Sequence, residues 1–166
     1  MRCSPADLAD VDRILKDDSV FPYITDDGCT DPEEMRSHAY QLLDNVKFYI
    51  LKPRANTIVI FIPSNCITYD VHVAAIQGGG RKHAVKDATA AVMWMLENTE
   101  AQKFTTLAPR CNRRAGIFAR MCGMVREGTI TKAYQKDGKI YDIDIFGADK
   151  DYILSKQQEE VTCQEQ

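Results

Sequence analysis

Thr68-Tyr69-Asp70-Val71-His72-Val73-Ala74-Ala75-Ile76 runs into Gln77-Gly78-Gly79-Gly80, and Arg81-Lys82-His83-Ala84-Val85-Lys86 follows at once. The first nine residues are rich in β-branched types and read as a strand. Three glycines end it. Beyond them Val85, Ala88, Val92, Met95 and Leu96 recur at helical spacing, which predicts a helix over 83–98. Lys103 to Leu107 reads as the next strand. A strand, one long crossover helix and a second strand make the two strands parallel.

Upstream, short turns at 53–56 and 63–65 separate apolar runs at 46–51 and 57–62 from the strand at 68–76. That spacing predicts an antiparallel meander. Two helices precede it. The first spans 7–16, with Leu8, Val11, Ile14 and Leu15 on one side and Ser4 or Asp7 as its cap. The second starts at Asp31-Pro32-Glu33-Glu34, which reads as N-cap, Pro at N1 and acidic first turn, and runs to about 43. Downstream lies a helix over 111–122 with Gly123 as its C-cap. Strands at 124–134 and 139–146 follow, joined at Asp137-Gly138, a strong hairpin signal. The order α-α-β-β-β-α-β-α-β-β predicts an α+β fold with a mixed, mostly antiparallel sheet. Residues 1–150 read as one domain and 151–166 as a polar C-terminal tail or helix.

Composition narrows the function classes. A net charge of -3 argues against bulk binding of nucleic acid, which needs a basic excess. No apolar run approaches the roughly 18–20 residues that a membrane helix needs. Met1 to Asp7 turns acidic at once and shows no signal-peptide core, so a cytoplasmic location is expected. The six cysteines form no C-x-x-C pair and match no zinc spacing, so reduced thiols and no metal site are expected.

The turn after Ile76 is the first candidate site. A helix N-terminus offers unpaired N–H groups and the positive end of its dipole, and anions bind there. Arg81, Lys82, His83 and Lys86 add charge at that terminus, and the glycines permit close backbone approach. A flexible loop carrying a solvated basic run fits the same residues. His72 is the candidate for chemistry. Asp70, His72 and Ala74 share one side of the strand, so Asp70 can hold the imidazole tautomer and make His72 a base. A histidine simply hydrogen-bonded within the sheet is the plainer reading of the same pair. Asn112 caps the helix that follows it or contacts a ligand, and capping is the ordinary role for Asn there. Cys111 beside it reads as an unremarkable small side chain.

The stretch from about Tyr69 to Gly147 resembles the core of the acyl-CoA N-acyltransferase (GNAT) superfamily. The family's phosphate motif, Q/R-x-x-G-x-G/A between a strand and a long helix, aligns with Arg81-Lys82-His83-Ala84-Val85-Lys86. Gln77-Gly78-Gly79-Gly80-Arg81-Lys82 is an alternative register. Asn112, followed about eleven residues on by Cys122-Gly123-Met124-Val125, is similar to the ribosomal-protein N-acetyltransferase branch. The whole chain, with Val20-Phe21-Pro22 and Tyr69-Asp70-Val71-His72, also looks like GNAT-like proteins of short-tailed phages, some of them head-assembly proteins.

The resemblance implies a mixed sheet with helices on both faces and transfer of an acetyl group from acetyl-CoA to a primary amine. It implies cofactor contacts from Ile76, Gly79, Gly80, Arg81, Lys82, His83, Ala84, Lys86 and Asn112, with His72 and Asp70 as the catalytic pair. Ala84 and Lys86 stand where the family places two small residues, usually Gly. Ala119 stands where many members place a Tyr general acid. Those departures suit a second function class, a non-catalytic GNAT-fold virion or head-assembly component that meets phage structural proteins, in the virion or the host cytoplasm.

Overall fold

The computed structural model describes residues 2–77 and 81–164, with side chains omitted for Arg81, Lys82 and 159–164. Six strands form one sheet: β1 (Tyr49–Arg54), β2 (Thr57–Pro63), β3 (Thr68–Ala75), β4 (Lys103–Pro109), β5 (Val125–Lys136) and β6 (Lys139–Asp149). Their spatial order is β1-β2-β3-β4-β6-β5. Only β3 and β4 are parallel; every other neighbouring pair is antiparallel. The helices are α1 (Leu8–Lys16), α2 (Phe21–Ile24), α3 (Met35–Asp44), α4 (Arg81–Asn98), α5 (Arg113–Met121) and α6 (Lys150–Gln164).

The apolar run in β2 has a direct cause. Thr57 through Phe61 are all buried because the strand is covered on both faces. Ile58 and Ile60 pack with Val11, Ile14 and Leu15 of α1 and Met35 and Ala39 of α3. Val59 and Phe61 point the other way, onto Ala91, Met95 and Leu96 of α4. Helices therefore lie on both faces, as expected. The chain continues past 150 into α6, whose Ile153 and Leu154 pack against this second cluster. A third cluster seats α5 through Ala119 on Ala108 of β4 and Phe146 of β6.

Local signals hold at most boundaries. Asp31 accepts a hydrogen bond from the Glu33 backbone N–H at 2.9 Å, as an N-cap does. The helix it opens begins with a 3-10 turn, Pro32–Glu34, before α3. Asp137 (φ 52°) and Gly138 (φ 69°) both take left-handed backbone, the geometry of a two-residue hairpin turn. The strand expected at 46–51 starts later, at Tyr49. Asn45 bends the chain first, its side chain accepting from Lys47 N at 3.0 Å and its carbonyl from Phe48 N at 3.0 Å. β1 then extends to Arg54, through residues expected to turn, and leaves only Ala55-Asn56 between paired Arg54 and Thr57.

Candidate functional site

β3 pairs with β2 from Tyr69 to Ala75, and β4 pairs with β6 along its whole length. Between β3 and β4 only three residue pairs form: Thr68 with Lys103, Tyr69 with Phe104 and Asp70 with Thr105. Beyond that point the two strands separate. A wedge opens between Val71–Ala75 and Thr106–Pro109, and facing edges without a strand partner leave backbone groups available to a guest. A cavity of about 1230 Å³ lies there, lined from one side by His72 and Ile76 and from the other by Leu107 and Pro109.

Asp70 sits at the apex of the wedge, where Thr105 Oγ1 donates to its Oδ1 at 3.5 Å. His72 stands two residues further in. Its Nε2 lies 3.0 Å from Asp70 Oδ2, and its side chain is 47% exposed. A carboxylate accepts only, so Nε2 is the nitrogen that donates to it. The two residues singled out on one side of the strand are therefore in contact, and among the described residues Nδ1 has no hydrogen-bond partner.

Past Ala75 the chain reaches Ile76, half-buried against the α1–α3 cluster, with its N–H on Asn56 O at 3.0 Å. Gly79 and Gly80 lie outside the described residues. Arg81 and Lys82 are the first two residues of α4. His83 and Ala84 line the cavity, whereas Lys86 is exposed and does not. Asn112 borders the cavity, but both ends of its amide are engaged: Oδ1 accepts from Ala115 N at 3.2 Å and Nδ2 donates to Tyr23 O at 3.1 Å. It is the cap of α5 and a tie to α2. Ala119 is buried at 3% exposure against Ala108 and Phe146 and borders the cavity with its methyl group, which offers no proton.

Several cavity-wall residues were not singled out in the sequence. Residues 19–28 form a strap across the wedge. At one end Ser19 Oγ accepts from Gln77 N at 3.1 Å. At the other, Asp27 accepts from the Asp137 and Gly138 N–H groups at 2.7 and 2.9 Å, and these bonds, that of Gly138 foremost, hold its carboxyl below the usual range. Tyr134 donates its hydroxyl to Thr25 O at 2.6 Å, and burial pushes the phenol up to about 12, so it stays protonated. Arg114 lies over the Tyr23 ring at 5.0 Å. These contacts join residues from 58 to 111 positions apart, and no local pattern announces them.

The fold so described is that of the GNAT acetyltransferases. Among solved structures, a spermidine N-acetyltransferase SpeG chimera from Vibrio cholerae and hSSAT superposes with a TM-score of 0.74 at 14% identity, covering 93% of this chain and 96% of that one. A GNAT-family acetyltransferase from Bacillus anthracis gives 0.70 at 16% identity, over 91% and 93%. The Vibrio cholerae spermidine N-acetyltransferase in complex with CoA and spermine gives 0.69 at 14%, over 93% and 96%. No family model matches the sequence, and no curated protein matches it.

Proposed function

We propose that this chain is an N-acetyltransferase that moves an acetyl group from acetyl-CoA to a primary amine, with His72 as general base and Asp70 as the residue that orients it. The observation that carries the reading is the position of His72, on the cavity wall where β3 leaves β4 and in contact with Asp70 through Nε2. The cavity exceeds the ~300–1,000 Å³ usual for small-molecule sites, so it has room for an acyl carrier and an acceptor together. Neighbours named for GNAT acetyltransferases, one of them holding CoA and spermine, support the same reading.

Bound acetyl-CoA supplies an acetyl thioester, a carbonyl that an amine attacks as the thiol departs. Ile76, Gly79, Gly80, Arg81, Lys82, His83 and Ala84 would hold it at the end of β3 and the start of α4, where helix N–H groups and cationic side chains meet an anion. Lys86 screens the same anion from the exposed side, and Asn112 shapes the far wall while capping α5. His72 Nδ1 takes the proton the attacking amine must lose, and Asp70 steadies the imidazolium so formed. The wedge-facing backbone edges orient the arm between the strands.

Ala119 favours a second reading. An alanine stands where many family members use a tyrosine as acid, and a non-catalytic virion or head-assembly protein needs no acid there. One experiment separates the two. Acetyl-CoA at millimolar concentration is expected to raise the melting temperature, since a ligand of the native state stabilises it by mass action. With spermidine or spermine as the first amines tried, His72→Ala is expected to lower turnover about 100-fold or more, the usual worth of a general base, while leaving acetyl-CoA affinity intact. An unshifted melting curve sinks the enzyme reading; equal rates for both proteins return His72 to a structural role.

A further inference from the structure

At the end of β1, Arg54 Nε lies 2.8 Å from Asp87 Oδ1, and Arg54 Nη1 lies 3.1 Å from His83 Nδ1. All three residues line the cavity at the first turns of α4. Asp87 is buried to 5% exposure, an unusual place for a carboxylate on a helix otherwise packed through Ala88, Ala91 and Met95. Its Oδ1 is matched by the guanidinium. Its Oδ2 is buried and, among the described residues, nothing donates to it. An orphaned carboxylate oxygen is costly, and native proteins keep few of them without a reason.

The cluster has a definite donor pattern. A guanidinium only donates, so His83 Nδ1 accepts and the ring proton sits on Nε2. Arg54 is half exposed and pinned by Asp87 on its Nε side, and among the described residues nothing accepts from its Nη2. His83 Nε2–H and Arg54 Nη2–H are thus two donors held beside the start of an 18-residue helix, whose dipole favours anions. Next to them waits one acceptor that lacks a donor. A ligand that completes all three carries an anionic group and, a few bonds along the same arm, a hydroxyl or amide hydrogen.

Coenzyme A has that sequence of groups: its diphosphate is followed by the hydroxyl and first amide of the pantetheine arm. Resting on the acetyltransferase reading above, we infer that Arg54, His83 and Asp87 form a clamp at this junction. Arg54 and His83 donate to a phosphate oxygen, and Asp87 Oδ2 accepts from the hydroxyl or amide beside it. Arg54 and Asp87 lie 33 positions apart in the chain and outside the glycine-rich motif. The pair gives the diphosphate a wall on the β1 side, opposite the helix start. Asp87 has a second role: it fixes the arginine so that the guanidinium need not be ordered when the ligand arrives.

The test is calorimetric titration of the full chain with CoA. Arg54→Met is expected to weaken CoA binding about tenfold to a hundredfold, the range for a hydrogen bond to a charged group. Because that variant strands a buried carboxylate, Arg54→Met combined with Asp87→Leu is measured beside it; replacing a buried ion pair by apolar residues usually preserves folding. Arg54→Lys should recover part of the loss, and the double variant's affinity should respond less to added salt than the wild type's. A double variant that folds and binds CoA as tightly as the wild type, with the same salt response, overturns the clamp. A wild-type chain that binds no CoA overturns the acetyltransferase reading, and the clamp with it.

Discussion

Each half of the sheet holds three antiparallel strands, yet the two are stabilised by different means. In β1-β2-β3 the central strand is buried on both faces between α1–α3 and α4, and its contacts are apolar. In β4-β6-β5 the edge strand β5 has no fully buried residue. Its attachment to β6 and β4 is polar: Arg110 pairs with Asp142 at 2.9 Å and Asp144 at 3.0 Å, and Arg126 reaches Asp144 at 2.9 Å. Two bulges bend β5, and at one of them Lys132 takes a φ of 52°. The apolar half holds His72 and Asp70 rigidly at the wedge. The polar half supplies the opposite wall and the hairpin onto which Asp27 fastens the strap.

The comparison breaks most readily in the core. Phe61 is fully buried and meets Phe104 edge-on at 5.8 Å. Phe61→Ala should cost about 3–5 kcal/mol of unfolding free energy, through lost transfer energy and a residual cavity. A urea titration reads it, and a loss below about 1 kcal/mol would show that the first half is loosely packed after all.

A smaller, pH-dependent effect belongs to the polar half. Arg110 and then Arg126 hold the Asp144 carboxyl down at about 2, against an ordinary 3.8. A carboxyl depressed in the folded state contributes stability above its unfolded pKa and loses it as pH falls through the folded one. Its contribution is complete above about 4 and gone below about 2. Melting temperatures recorded across that interval should fall more steeply for the wild type than for Asp144→Asn. Parallel curves would mean that the network adds nothing to the attachment of β5.

The smallest effect marks the far edge of the same half. Ile140 is 63% exposed on β6. Ile140→Thr should change stability by no more than about 0.5 kcal/mol, as surface substitutions do. A larger loss in the isolated chain would reveal that this edge is covered by something.

Much of the architecture is legible locally. The run Thr57–Phe61 is apolar without alternation because both of its faces are covered, and that is visible before any contact is known. Asp137-Gly138 specifies its hairpin because few other residue pairs accept two left-handed conformations in a row. Asn112 as a cap and the 3.6-residue period of α4 belong to the same kind. Asp70 with His72 needs only the two-residue period of a strand to bring the pair together.

What the chain's order of residues determined by itself is therefore the set of elements, the faces they bury and the parallel crossover between 68–76 and 103–107. These depend on period, capping and turn chemistry, which act over four or five residues. Only the tertiary structure decided that β3 and β4 part after three pairs, that Tyr134 and Lys136 meet the carbonyl of Thr25, and that Arg54 closes on Asp87 and His83. Those contacts join elements whose separation is set by how one sheet and the helices on its two faces pack. Packing is a property of all the side chains at once, so no window of sequence carries it.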